Sequence, residues 1–285
     1  MVRGSCLCGD VAWEALGPFE LMSHCHCSMC RKAHGTGYAT YLAAPASGFR
    51  VARGAGSVAR YESSPGNFRH FCPRCGSSLW WNAAEERVFM PAGCLDDDPG
   101  VRSIAHIFVA SKAPWEEISG ALPRLDTMPA EFGAEVARPS PPAAPPGRVQ
   151  GSCLCGGVAY EIDGPIREMR HCHCSRCRKG RSAAHATNVY VRESALRWLR
   201  GEDLVQSYKV PEAKFFTNCF CGTCGSKVPR VDPSRGLAVV PAGSLDHDPG
   251  ARPRMHIFVG SQAPWHEISD ALPRHDAAAP DPPQL

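Results

Sequence analysis

One cysteine pattern is written twice in this chain, and no other feature restricts its fold as much. Gly4-Ser5-Cys6-Leu7-Cys8-Gly9 returns as Gly151-Ser152-Cys153-Leu154-Cys155-Gly156, and Cys25-His26-Cys27-Ser28-Met29-Cys30 returns as Cys172-His173-Cys174-Ser175-Arg176-Cys177, both 147 residues on. Phe71-Cys72-Pro73-Arg74-Cys75-Gly76-Ser77 returns as Phe220-Cys221-Gly222-Thr223-Cys224-Gly225-Ser226, now 149 residues on. The later pairs Gly93-Cys94-Leu95-Asp96 with Gly243-Ser244-Leu245-Asp246, and Ala113-Pro114-Trp115 with Ala263-Pro264-Trp265, stand 150 apart. A repeat this long is a duplicated domain, since solenoid periods are about 20–50 residues. The expected division is a first unit at 1–128, a Pro/Ala-rich linker at 129–148, a second unit at 149–276 and a tail at 277–285. Prolines favour extended polyproline conformations, so the linker reads as a semi-rigid spacer. The proline-rich tail is expected to be disordered.

Within each unit the pattern is that of strands. Segments 10–16, 36–43 and 58–62 alternate apolar and polar residues, and Gly or Pro punctuates at the short intervals of an all-β domain. Ser28 is positioned to cap one short helical turn running on through Ala33, and Pro114 to Ile118 suggests another. The expected class is mainly β, with antiparallel sheets and short helices.

Composition excludes several partners. The chain of 285 residues is 44% hydrophobic and 21% charged, with a net charge of +3. That balance offers no basic stripe for nucleic acid. No apolar run approaches the ~18 residues of a membrane span. A cysteine motif begins within six residues of Met1, where a signal peptide would need its apolar core, so a cytoplasmic location is expected. In that reducing setting the sixteen cysteines read as metal ligands, not disulfides.

The cysteines sort into sites. In each unit the C-x-C and C-x-x-C pairs together supply the four ligands of a closed tetrahedral zinc: Cys6, Cys8, Cys72 and Cys75, and again Cys153, Cys155, Cys221 and Cys224. The central clusters, Cys25, Cys27, Cys30 and Cys172, Cys174, Cys177, then hold three thiolates each. A closed second site would need a fourth ligand. The spare cysteines do not correspond, because Cys94 faces Ser244 and Cys219 faces His70 in the alignment of the two units. The expectation is therefore four zinc ions per chain, two closed and two on three thiolates with a position open. Three thiolates make zinc electron-rich and a weak activator of water, which suits it to a sulfur substrate.

Other residues are weaker candidates. His26 and His173 stand beside the cluster and titrate near neutrality, as proton carriers do. In an extended strand, however, the cysteines point to one face and His24 and His26 to the other. Asp96 and Asp246 are placed to orient a ligand or simply to close a turn. Arg31, Lys32, Arg178 and Lys179 follow the clusters and would meet a substrate carboxylate or water. His106 and His256 read as core-edge residues, and Trp115 and Trp265 as packing anchors. No G-x-G-x-x-G or G-K-[ST] pattern indicates a nucleotide.

As a set, G-S-C-x-C-G, H-C-H-C-S-x-C-R, F-C-x-x-C-G-S, A-G-x-L-D, H-I-F-V and P-W resemble the glutathione-dependent formaldehyde-activating enzyme family, which includes centromere protein V-like proteins. The resemblance covers both units and leaves out the linker and tail. It implies tandem Mss4-like domains with zinc-ribbon-like knuckles, structural zinc on the four-cysteine sets and labile zinc on the three-cysteine sets. It also implies an activity joining glutathione, or another thiol, to a small aldehyde such as formaldehyde, classed as a carbon–sulfur lyase in reverse. The other reading is a non-catalytic zinc module that binds glutathione or a protein partner, with the duplication forming a built-in pseudo-dimer. The second unit departs from the pattern after Cys177, where Gly35 has no glycine counterpart, and at 210–214, which replaces Ser63 to Asn67.

Overall fold

The structure, a computed structural model, describes residues 1–84, 86–128 and 146–285, so most of the expected linker lies outside the described residues. It is mainly β, with two short α-helices: α1, Ser28–His34, and α2, Ser175–Arg181. Each unit opens with a three-stranded antiparallel sheet, Val2–Ser5, Ala12–Ala15 and Phe49–Arg53 in the first, Arg148–Ser152, Ala159–Asp163 and Leu196–Arg200 in the second. Met22–Cys25 and Glu168–Cys172 lie inside the larger sheets, each paired antiparallel on one side and parallel to a two-residue strand at His106 or His256 on the other. The expected strands are present at Ala12–Ala15, Ala39–Pro45 and Ala59–Ser64. Pro114 to Ile118 forms a turn closed by Glu116 N to the Ala113 carbonyl at 3.0 Å, not a helix.

The larger sheets differ between units. In the first, the hairpin Ala59–Ser64/Asn67–Phe71 joins a seven-stranded sheet through Ser78–Ala84. In the second, Val205–Lys209 and Thr217–Cys221 form a separate two-stranded sheet. The equivalent connecting stretch there contains Pro229, which cannot donate to a ladder, and the strand begins only at Arg230. The segment 277–285, read from sequence as disordered, lies against the second unit, where Arg170 donates to the Asp281 carbonyl at 3.3 Å and the Gln284 amide to Glu168 at 3.3 Å.

The two units exchange parts. Trp115 of the first, 1% exposed, belongs to the core that holds Tyr160, Ile162 and Met169. Trp265 of the second, 4% exposed, belongs to the core that holds Trp13, Met22 and Leu79. Burying such a ring contributes roughly 3 kcal/mol or more. The backbones also approach closely: a Cβ on Gly93 would stand 2.0 Å from Ala183 N, and one on Gly243 would stand 2.4 Å from the Arg31 carbonyl. Ser119 and Ser269, equivalent residues, meet at 2.6 Å.

Two matching ion pairs tie the contact. Lys32 bonds Ser152 Oγ at 2.8 Å and the Asp246 carboxylate, and Lys179 bonds Ser5 Oγ at 2.6 Å and the Asp96 carboxylate. Their side chains keep only 18–34% exposure, so a charge-assisted bond there contributes about 1–2 kcal/mol. Replacing Lys32 and Lys179 together by methionine is expected to lower the calorimetric melting temperature by several degrees. An unchanged midpoint would show that these pairs contribute nothing.

Candidate functional site

The four-cysteine sets are assembled. Cys6, Cys8, Cys72 and Cys75 gather with every sulfur within 4.8 Å of the others, as do Cys153, Cys155, Cys221 and Cys224. Cys6 and Cys8 sulfurs are 3.4 Å apart and Cys8 and Cys72 3.7 Å, close to the ~3.8 Å edge of a tetrahedron with Zn–S bonds of about 2.3 Å. The Val11 amide donates to Cys6 Sγ at 3.3 Å and Val158 to Cys153 Sγ at 3.2 Å, which favours thiolate at both positions. None of the sixteen cysteines is in a disulfide. The donor set fits a soft tetrahedral cation.

The central clusters are assembled too, with three sulfurs each and no fourth ligand among the described residues. In each, strand alternation turns the first two cysteines to one face, and the helix that follows brings in the third. The cap of α1 is Cys27 and not Ser28: its sulfur accepts from Cys30 N at 3.4 Å, and Cys174 does the same for Cys177 in α2. Gly35 ends α1 in the left-handed conformation, and Ser182 adopts the same backbone at φ 54° despite its side chain. Its hydroxyl accepts from Cys94 Sγ at 3.1 Å, which commits Cys94 to the contact between units. Cys219 is buried in the core around Cys153, away from the Cys172 cluster.

The surroundings of the first cluster were not legible as a site. Arg69 Nη2 donates to Cys30 Sγ at 3.6 Å, and its Nη1 to Tyr41 Oη at 3.1 Å. Tyr41 Oη also lies 2.9 Å from His34 Nε2, and His34 Nδ1 lies 2.8 Å from the Arg181 carbonyl of the second unit. That carbonyl can only accept, so Nδ1 carries the ring proton and Nε2 accepts from the tyrosine. Hydrogen bonds from Cys25 and Cys27, with Arg69 adding, hold Cys30 well below the ordinary thiol range, while Cys27 and burial push Cys25 above it. In the second cluster Cys172 and Cys177 lower Cys174 to about 3. Phe108 and Phe258 line the two sites in left-handed backbone, at φ 56° and 57°, a conformation costing an L-residue roughly 1–2 kcal/mol.

The weaker candidates lie elsewhere. His26 and His173 face away from the sulfurs, bonded to His106 Nδ1 at 2.9 Å and His256 Nδ1 at 2.8 Å. His256 is in turn 3.0 Å from Asp270. His24, His106, His171, His185, His256 and His266 line a cavity of about 910 Å³ between the units, with His106 and His256 buried at its wall. Asp96, Asp246, Lys32 and Lys179 form the ion pairs that join the units. Burial depresses the Arg31 and Arg178 guanidinium groups, opposed first by Cys27 and Cys174 of their own clusters and last by Asp246 and Asp96 of the opposite unit. Of the four cations proposed for a substrate carboxylate, Lys32 and Lys179 are therefore committed to the contact between units.

Burial holds His106 and His266 at about 4, below the ordinary 6.5, so both are neutral at pH 7. The unfolded chain binds those protons first, and stability is lost as pH falls from about 6.5 towards 4. Each contributes a slope of up to about 1.4 kcal/mol per pH unit. Glu116, pushed up to about 8 by burial, acts oppositely, contributing stability below its unfolded value and losing it as pH rises through 8. Urea unfolding of the full chain is expected to show lower stability at pH 5 than at pH 7, with a shallower difference in His106→Gln.

The chain is similar to known proteins. The family model described as "Glutathione-dependent formaldehyde-activating enzyme" matches residues 1–111 and 148–261. A Halomonas elongata protein named "Putative glutathione-dependent formaldehyde-activating enzyme" is 36% identical over 132 residues, covering 41% of this chain and 81% of the relative. A crystal structure of a Rhodobacter sphaeroides protein is 28% identical, covering 35% of this chain and 90% of that one, with a TM-score of 0.29.

Proposed function

Since the chain belongs to the glutathione-dependent formaldehyde-activating enzyme family, we propose that it adds a thiol such as glutathione to a small aldehyde and reverses that addition, a carbon–sulfur lyase type of reaction. The observation that carries this is the pair of three-cysteine clusters, each assembled without a fourth protein ligand among the described residues. Zinc is the metal the all-sulfur donors suit, four ions per chain, held by Cys6, Cys8, Cys72 and Cys75, by Cys153, Cys155, Cys221 and Cys224, by Cys25, Cys27 and Cys30, and by Cys172, Cys174 and Cys177. In the central clusters Cys25, Cys27 and Cys30, and Cys172, Cys174 and Cys177, would hold a zinc ion that would supply Lewis acidity towards a substrate sulfur.

The protein's own groups support the same chemistry. In forming the adduct the sulfur bonds to the carbonyl carbon, the C=O pair moves to oxygen, and the thiol proton ends on that oxygen. Tyr41, donating to His34 and accepting from Arg69, lines the first pocket and is placed to pass that proton. Arg69 keeps the Cys30 side of the pocket cationic. Apolar Phe89, Trp81 and Phe108 exclude water from it.

The second unit has Asn188 and Arg181 where the first has Tyr41 and His34, and the phenol lining its cavity is that of Tyr190, beside Cys172 and Cys177. The Lys32–Asp246 and Lys179–Asp96 ties support packing of the units as a pseudo-dimer. The unlinked cysteines suit a reducing cytoplasm, and no helix among the described residues is long and apolar enough to cross a membrane.

Elemental analysis should return four zinc ions per chain, and two would leave the central clusters metal-free. Exchange between glutathione and formaldehyde, followed by NMR, is expected to run faster with the protein than in buffer and to return to the buffer rate in Cys27→Ser/Cys174→Ser. A wild-type rate equal to buffer would favour a binding module.

A further inference from the structure

Strand register makes the two central sites comparable residue by residue. In the first, Trp81 pairs with Phe89 across neighbouring strands, and the rings stack at 4.5 Å and 13°. At the same ladder position the second has Arg230 opposite Val239. On the helix, Met29 becomes Arg176, and in the hairpin Phe68 becomes Thr217. Removing a stacked aromatic pair leaves space, and detachment of the hairpin from the main sheet adds to it. At the sulfurs the first cavity measures about 70 Å³, and it shares Leu21, Ser23, Ile107 and Met128 with a cavity of about 560 Å³ alongside, whereas the second measures about 450 Å³ at the sulfurs themselves. Only at the second cluster does the space directly at the sulfurs fall within the ~300–1,000 Å³ of ordinary small-molecule sites.

Charge diverges with size. Among the described residues Arg69 is the one cation lining the first cavity. Arg170, Arg176, Arg181, Lys214, Arg230 and Arg235 all line the second, where Asp281 is the one acidic residue among those described. Arg170 is neutralised by Glu168 at 2.9 Å and Arg230 by Asp232 at 3.1 Å. Among the described residues no carboxylate lies within ion-pair distance of Arg176, Lys214 or Arg235. They stand instead over aromatic rings, Lys214 at 5.0 Å and Arg235 at 4.8 Å from Phe215, and Arg176 at 6.0 Å from Phe216. Arg181 Nη1 is buried with no partner. Asp232 offsets Arg235 in part, but the excess of cations over acids around this partly enclosed cleft still concentrates anions within it.

We propose that the second unit's cluster is the site for a thiol carrying two or more negatively charged groups, and that the first admits only a small uncharged thiol or carbonyl compound. Arg176, Lys214 and Arg235 are the residues that set this preference, by pairing with carboxylate or phosphate while the sulfur reaches Cys172, Cys174 and Cys177. This rests on the reading that the central clusters take substrate thiolates. The second unit is thereby the selective half of the chain.

The test uses the full chain loaded with Co²⁺, whose thiolate charge-transfer bands report a sulfur joining a cluster. It would be titrated with glutathione, with coenzyme A as a phosphate-bearing thiol, and with 2-mercaptoethanol. Lys214→Gln/Arg235→Gln alters only exposed side chains and is expected to weaken glutathione and coenzyme A at least tenfold, to flatten their salt dependence, and to leave 2-mercaptoethanol unchanged. Cys174→Ser is expected to remove the glutathione response and Cys27→Ser to spare it. A glutathione response lost in Cys27→Ser and kept in Cys174→Ser overturns the division while leaving thiol binding intact, as does a rim variant that weakens all three thiols equally. Spectra that no thiol perturbs overturn both the division and the reading beneath it.

Discussion

A two-residue period governs this protein. Along His24-Cys25-His26-Cys27, and again along His171-Cys172-His173-Cys174, alternation sends sulfur to one face of the strand and imidazole to the other. One face gathers three sulfurs that could hold a metal. The opposite face makes half of a buried, histidine-lined cleft that needs the other unit to close it. Because both faces hang on the same four residues, the geometry of each pocket is set partly by how the units meet. The bond that His34 Nδ1 donates to the Arg181 carbonyl is a direct instance: the tautomer of a first-unit site residue is fixed by the second unit's backbone.

The contact between units is accordingly not an adhesion of two finished domains. Each core contains the other's tryptophan, and each helix ends against the other's Gly93 or Gly243, where a side chain has no room. Residues that looked free to meet substrate, Lys32 and Lys179, are held in that contact. Nothing in their sequence context separates the two roles. A lysine on the turn after a metal cluster is equally placed for either, and only the position of the second unit decides.

Much of the architecture was nonetheless legible. Duplication, the strands, both helices and the four cysteine groups follow from spacing and parity, which are local properties. Tyr41 was within reach by the same logic, since it pairs with Ser23 and shares a face with the pocket. Arg69 was not, because its place depends on a hairpin register that no local pattern encodes. Glu116 likewise gives no sign in sequence of being a buried acid at a junction. The cap falls on Cys27 and not on its neighbour Ser28 because a sulfur of the three-cysteine cluster also serves as the cap acceptor.

Fusion has a further consequence for the stacked Trp81–Phe89 pair and its Arg230–Val239 counterpart. Two identical chains meeting through such a face would have to carry every pocket substitution twice. Here the joining surface remains reciprocal while the pockets do not, because each substitution occurs once. The covalent link thus releases the pockets from symmetry without releasing the framework. One polypeptide can then keep a narrow, greasy cleft beside a wide, cationic one on a common scaffold.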